Sequence, residues 1–130
     1  MAPSAVTYLD THVVVWLYAG LQKRFRGEAR RRLEHDELRL SPMVLLEIDF
    51  LREIGRVTTS GAEMLEALAM RSRLALCTLP FGSVVRCAAD LGWTRDPFDR
   101  LIVAQAKVAD AALVTHDRSI RDHFPGAIWD

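Results

Sequence analysis

The chain has 130 residues, half of them apolar (50%) and 26% charged, which suits one compact domain with its own core and excludes disorder as the dominant state. No apolar run approaches the roughly 18 residues that span a bilayer, and the N-terminal Met-Ala-Pro-Ser-Ala-Val lacks the basic and long apolar stretches of a secretory signal, so a cytoplasmic protein is expected. Seventeen basic and 17 acidic residues cancel, which excludes nucleic-acid binding driven by total charge and leaves only its local distribution to consider.

In chain order, Val6 to Leu9 is a β-prone run that closes on Asp10. A helix is expected from Thr11 through Val14, Trp16, Leu17 and Leu21, and a basic helix over residues 25–35. Leu38-Arg39-Leu40 reads as a short strand leading into Ser41-Pro42, an N-cap with proline at the first helical position. The helix that follows should run from 43 to about 54 and stop at Gly55; another opens at Ser60 or Gly61. Residues 74–79 are strand-like and end at Pro80, and a helix from 82 or 83 to 91 ends at Gly92. Asp96-Pro97 repeats the N-cap and proline start for a helix reaching Val108, residues 111–115 form a strand, and Ala127-Ile128-Trp129 a final short one. Strands alternating with helices predict an α/β domain with a mostly parallel sheet.

Cys77 and Cys87 have neither metal-site nor redox-motif spacing and read as free thiols. Lys23, Arg24, Arg26, Arg30, Arg31 and Arg32 fall within ten residues, opposed there only by Glu28; they are either a solvated helix face or a surface for a polyanion.

The informative residues are acids set among apolar neighbours. On the helix that starts at Pro42, the positions three and four from Glu47 are Met43, Val44, Phe50 and Leu51, which puts Glu47 in the middle of the face expected to enter the core, with Asp49 and Arg52 opposite. A carboxylate buried without a partner costs several kcal/mol or becomes neutral, so a compensating cation is expected. Asp99 shares a stripe with Ile102, Val103 and Ala106, although Asp96 and Asp99 also form a capping-box-like pair at a helix start. Asp10 and Asp117 follow strands, where a parallel sheet opens its ligand crevice. Such oxygen donors favour Mg²⁺ or Mn²⁺ over zinc. His12 and His116 each flank an acid without zinc-protease spacing, and no nucleophile elbow, catalytic-cysteine context or glycine-rich phosphate loop is present.

These segments resemble, in order and spacing, the PIN-domain nucleases, and among them the VapC toxins of toxin–antitoxin pairs. The resemblance is carried by Tyr8-Leu9-Asp10-Thr11-His12 with Trp16-Leu17, Leu40-Ser41-Pro42, Leu46-Glu47-Ile48, Leu51 through Gly55-Arg56, Arg95-Asp96-Pro97-Phe98-Asp99-Arg100-Leu101-Ile102-Val103-Ala104-Gln105-Ala106, Leu113-Val114-Thr115-His116-Asp117 and Ile128-Trp129. It implies a single PIN domain over 1–130, a three-layer α/β/α sandwich around a mostly parallel sheet of four or five strands. It further implies a Mg²⁺-dependent endoribonuclease, with Mn²⁺ as a substitute, in which Asp10, Glu47 and Asp99 hold the metal and Asp117 is the fourth acid. Asp96 belongs to the same motif as metal ligand or helix cap, and Thr11 and Thr115 match supporting hydroxyls. The implied partners are RNA, a VapB-like antitoxin and a second copy of the chain, with no membrane. Lys23, Arg24, Arg26 and Arg30 are then candidates for an RNA or antitoxin surface. The alternative is a PIN-like module that binds RNA or metal without cutting. A phosphoacceptor receiver domain would need an acidic pair after the first strand and a late lysine near the site. A haloacid-dehalogenase phosphatase would need an acid two residues after Asp10; the chain supplies none of these.

Overall fold

The computed structural model describes residues 5–130; Met1 to Ser4, where a secretory signal was sought, lie outside the described residues. The order is β1 (Val6–Leu9), α1 (Thr11–Tyr18), a 3-10 turn (Gln22–Arg24), α2 (Gly27–His35), β2 (Glu37–Leu40), α3 (Pro42–Glu53), α4 (Gly61–Ala69), β3 (Leu74–Leu76), α5 (Phe81–Ala88), α6 (Pro97–Val108), β4 (Ala112–Val114), α7 (Arg118–His123) and β5 (Ala127–Ile128). The five strands form one sheet, ordered β3-β2-β1-β4-β5, with every pairing parallel.

Successive strand residues point to opposite faces of a sheet. Thr7, Tyr8 and Leu9 of β1 are all buried, as are Leu113 and Val114 of β4, so the centre of the sheet is covered on both sides. That is the condition under which a wholly parallel sheet is stable, and it makes the architecture a three-layer α/β/α sandwich. From β1 the chain winds outward through β2 and β3, then returns to place β4 on the other side of β1 and continues to β5. The winding therefore reverses between β1 and β4, and the crevice beyond their carboxyl ends is where such sheets bind ligands.

The helix starts read from sequence are present: Ser41 accepts a hydrogen bond from Met43 N and Ser60 from Glu63 N, each capping its helix. Helix α3 ends where Gly55 takes φ +80°, with Arg56 N donating to Leu51 O across the last turn. Several boundaries differ from expectation: α1 ends at Tyr18 rather than Leu21, and α5 runs from Phe81 to Ala88 rather than to 91. The basic helix begins two residues late, because Phe25 is extended and buried and Gly27 (φ +51°) turns the chain into α2. The Asp130 carboxylate accepts from Glu28 N and Ala29 N, at 3.2 Å each, and caps that helix from the far end of the sequence. Gly27→Ala would combine left-handed strain with a Cβ pressed against the Asp130 carboxylate. It is expected to cost about 1–2 kcal/mol, read as a lower urea midpoint at unchanged m-value.

Strand β3 stops at Leu76 rather than 79, because its partner β2 ends at Leu40, where Ser41 starts α3. The last bond of that pairing is Cys77 N to Leu40 O, 2.7 Å. Helix α7, six residues after Asp117, is too short to show a periodic signature and was not expected. Cys77 and Cys87 are free thiols, as read.

Candidate active site

Asp10 closes β1 and caps α1: its Oδ1 accepts from Thr11 N at 2.8 Å and its Oδ2 from Thr115 Oγ1 at 2.7 Å. Thr115 follows β4, so a single hydroxyl ties the ends of the two strands that border the crevice. The same hydroxyl accepts from Asp117 N at 3.0 Å, and Asp117 in turn caps α7 by accepting from Ile120 N at 2.9 Å. Thr11, the first residue of α1, donates its Oγ1 proton to Glu47 Oε1 on α3. Each of the two threonines thus donates to a carboxylate, Thr115 to Asp10 and Thr11 to Glu47. Asp99 enters from the first turn of α6.

Electrostatics shows that these carboxyls share one region. Burial raises the Asp99 carboxyl from its ordinary 3.8 to about 7, and the negative charges of Asp96, Asp10, Asp117 and Glu47 push the same way. Burial also raises Asp10, opposed by its bonds from Thr115 and Thr11 and by His12. Glu47 is raised by burial and by Asp10 and Asp96, against the Thr11 bond and His12.

Glu47 is not placed as its periodicity suggested. Val44 and Ile48 are the buried residues of α3, whereas Phe50 is 50% exposed and Glu47 lies at the flank of the buried face, turned to Thr11. Nor is Asp49 solvent-facing: it accepts from Gly61 N at 2.8 Å and ties α3 to the start of α4. Asp96 is exposed, and its Oδ1 caps α6 by accepting from Phe98 N at 2.8 Å. Asp96→Asn should retain that cap within a few tenths of a kcal/mol, whereas Asp96→Ala should cost about 1 kcal/mol, measured by urea unfolding.

The basic residues separate. Arg31 and Arg32 pair with Glu28 at 3.2 and 3.3 Å, and Arg30 with Glu34 at 3.5 Å, all within α2. Lys23 and Arg26 are exposed, on the 3-10 turn and at the start of α2. Arg24 is the one that reaches the site, its guanidinium carbon 4.6 Å from the centroid of the Trp16 ring. A cleft of about 210 Å³ joins Trp16 to Asp10 and Asp117, with His12 and His116 along it. The convergence of these rings was missed in the sequence, although Trp16, His12, His116 and Trp129 were each visible there singly.

The oxygen donors suit a hard divalent cation in kind and number. Among the described residues, however, no three acidic, histidine or cysteine side chains already converge on one metal-sized point. Asp10, Glu47 and Asp117 each engage an oxygen with Thr115, Thr11 or Ile120 instead.

Comparison with known proteins decides the family. The PIN domain family model matches residues 7–123. Ribonuclease VapC22 of Mycobacterium tuberculosis is 33% identical over 127 residues, covering 93% of this chain and 96% of that protein. The chain is a PIN-domain protein of the VapC family. The fold agrees with that of two solved structures. VapBC2 from Rickettsia felis, bound to a DNA fragment from its promoter, superposes with a TM-score of 0.62 at 19% identity, over 96% of this chain and 99% of that one. A toxin–antitoxin complex from Klebsiella pneumoniae gives 0.64 at 18% identity over 96% of both. Among the described residues no helix is long and apolar enough to cross a membrane.

Proposed function

We propose that this VapC-family chain, acting as a single PIN domain, is a divalent-metal-dependent endoribonuclease and the toxin partner of a VapB-like antitoxin. The observation that carries the reading is the meeting of Asp10 and Asp117 through the Thr115 hydroxyl at the ends of β1 and β4, with Glu47 tied to Thr11 beside them and Asp99 raised by burial and by the charges of these acids. A cluster so destabilised in its ionised form is what a cation-binding site looks like before the cation is considered. The relationship to a protein named as a ribonuclease gives the substrate class.

Asp10, Glu47 and Asp99 would hold Mg²⁺, with Mn²⁺ as a substitute, and Asp117 would complete the ring of acids. The cation would supply Lewis acidity toward a scissile phosphate and ease deprotonation of water. The remaining work falls to the chain. Thr115 and Thr11 N fix both oxygens of Asp10, and Thr11 Oγ1 orients Glu47, so neither acid must be ordered when RNA arrives. Asp99 or Asp117 would position the attacking water, Asp117 being held in place by the bond it accepts from Ile120 N. Asp96 caps α6 and adds negative charge toward Asp99.

Arg24 lies on the RNA side of the molecule. Arg30 lines a different groove with Leu17, Phe25, Leu33 and Leu68, where an apolar antitoxin segment would dock. A second copy is the further partner: Leu46 and Phe50 of α3 and Ile54 at its C-cap recur every fourth residue and are 50–55% exposed. Phe50→Glu is expected to convert a dimer to a monomer in light scattering, with folding intact; an unchanged mass would contradict this assignment.

The test of function is RNA cleavage titrated with Mg²⁺. Cleavage that needs the metal and stops with a chelator is expected. RNA binding without cleavage at any metal concentration would favour the non-cutting module instead.

A further inference from the structure

Two exposed histidines have no role in the scheme above, and their setting is unusual. His116 is held between two indoles, its ring centroid 5.5 Å from that of Trp16 and 5.0 Å from that of Trp129, edge-on to both. His12 stands 6.1 Å from Trp16 on the other flank. Packing does not require either imidazole: Phe25 is 2% exposed and fills the space beneath Trp16 and Trp129, while His12 and His116 lie at the surface. What they do is wall the cleft that runs from Trp16 to Asp10 and Asp117.

We propose that this cleft is a nucleobase subsite, in which His12, Trp16 and His116 stack against the base of an unpaired nucleotide next to the phosphate presented to the acids. The inference rests on the ribonuclease reading and adds how substrate is gripped. At about 210 Å³ the cleft is smaller than the roughly 300–1,000 Å³ of sites that enclose whole drug-sized ligands. It therefore suits one ring system with its sugar and phosphate outside. Aromatic faces accept any base, because every base has a π-face. Arg24, with its guanidinium over the indole of Trp16, has donors left for a phosphate on the far side of the base. The result is a continuous track of guanidinium, rings and carboxylates, which resolves how an acidic pocket in a neutral protein admits a polyanion. A duplexed base cannot enter such a cleft without unpairing, so single-stranded RNA is the substrate form.

The test compares the wild type with His12→Ala/His116→Ala and His12→Phe/His116→Phe variants, using fluorescence anisotropy with Ca²⁺ replacing Mg²⁺. The probes are a labelled single-stranded RNA octamer of mixed sequence, the same octamer in duplex form, and an abasic ribose-phosphate octamer. The alanine variant is expected to bind the single-stranded octamer about 10-fold or more weakly, and the phenylalanine variant as the wild type does. The abasic octamer should bind all three alike, and the duplex should bind the wild type more weakly than the single strand. Equal octamer affinity in wild type and alanine variant would overturn the subsite; so would an equal loss for the abasic probe, or failure of phenylalanine to rescue. Failure of the wild type to cut RNA with Mg²⁺ would remove the nuclease reading, while the binding comparison would still decide the subsite. A wild type that cuts and an alanine variant with unchanged kcat/KM would remove the subsite alone.

Discussion

Asp10→Asn is expected to lower metal-dependent RNA cleavage by at least roughly 10³-fold, about 4 kcal/mol of transition-state stabilisation. The magnitude follows from position: Asp10 is 6% exposed at the junction of β1 and β4, with both carboxylate oxygens fixed by Thr11 N and Thr115 Oγ1. Asparagine is the informative substitution. It keeps an oxygen for Thr11 N and hence the N-cap of α1, while removing a buried negative charge. The variant should therefore fold, and without metal it should melt at or above the wild-type temperature. Single-turnover cleavage beside a thermal melt measures both. Substantial activity in a folded Asp10→Asn protein would remove Asp10 from the chemistry, and a large loss of Tm would make its role structural.

The second large effect is on stability, and its sign follows from Asp99. A carboxyl at about 7 in the folded chain and at its ordinary 3.8 when unfolded binds its proton more tightly in the folded state. Its contribution to stability is complete below about 3.8, declines as pH rises, and is lost through pH 7. Asp10 and Glu47, also raised, act in the same direction. Metal-free protein should thus melt several degrees lower at pH 8 than at pH 5, at roughly 3–5 °C per kcal/mol for a domain of this size. The partial exposure of Asp99 limits the shift. Asp99→Asn should flatten the profile and raise the melting temperature at pH 8. Mg²⁺ should stabilise the wild type at pH 8 far more than at pH 5, because the acids must be ionised to bind it, and should do little for the variant. A pH-independent melt, or equal stabilisation of the variant by Mg²⁺, would contradict the charge balance assigned to the cluster.

What the sequence made legible was local. Ser41-Pro42 and Asp96-Pro97 announce α3 and α6 because cap chemistry is settled within a few residues. The strand-end positions of Asp10 and Asp117 were readable because alternating strands and helices already imply a parallel sheet. Glu47 shows where periodicity misleads. Apolar residues at 46, 50 and 54 form a second, exposed stripe on α3, and hydrophobicity alone does not separate a face turned to the core from one turned outward. The late start of α2 depends on Asp130 capping it from the opposite end of the chain, and the rings around Trp16 depend on Trp129 and His116 folding back onto α1. Contacts of that range leave no pattern in a short window. The threonines were identified through the family resemblance, but what each one holds is a tertiary fact.

The most direct test of the central claim, that these carboxylates form a cation site, is anomalous diffraction from crystals of the wild type soaked in Mn²⁺. An anomalous peak is expected in the crevice beyond β1 and β4, bounded by Asp10, Glu47, Asp99 and Asp117, and it should be absent from Asp10→Asn crystals. Mn²⁺ bound elsewhere, or an empty crevice in a protein that cleaves RNA with Mn²⁺, would contradict the account.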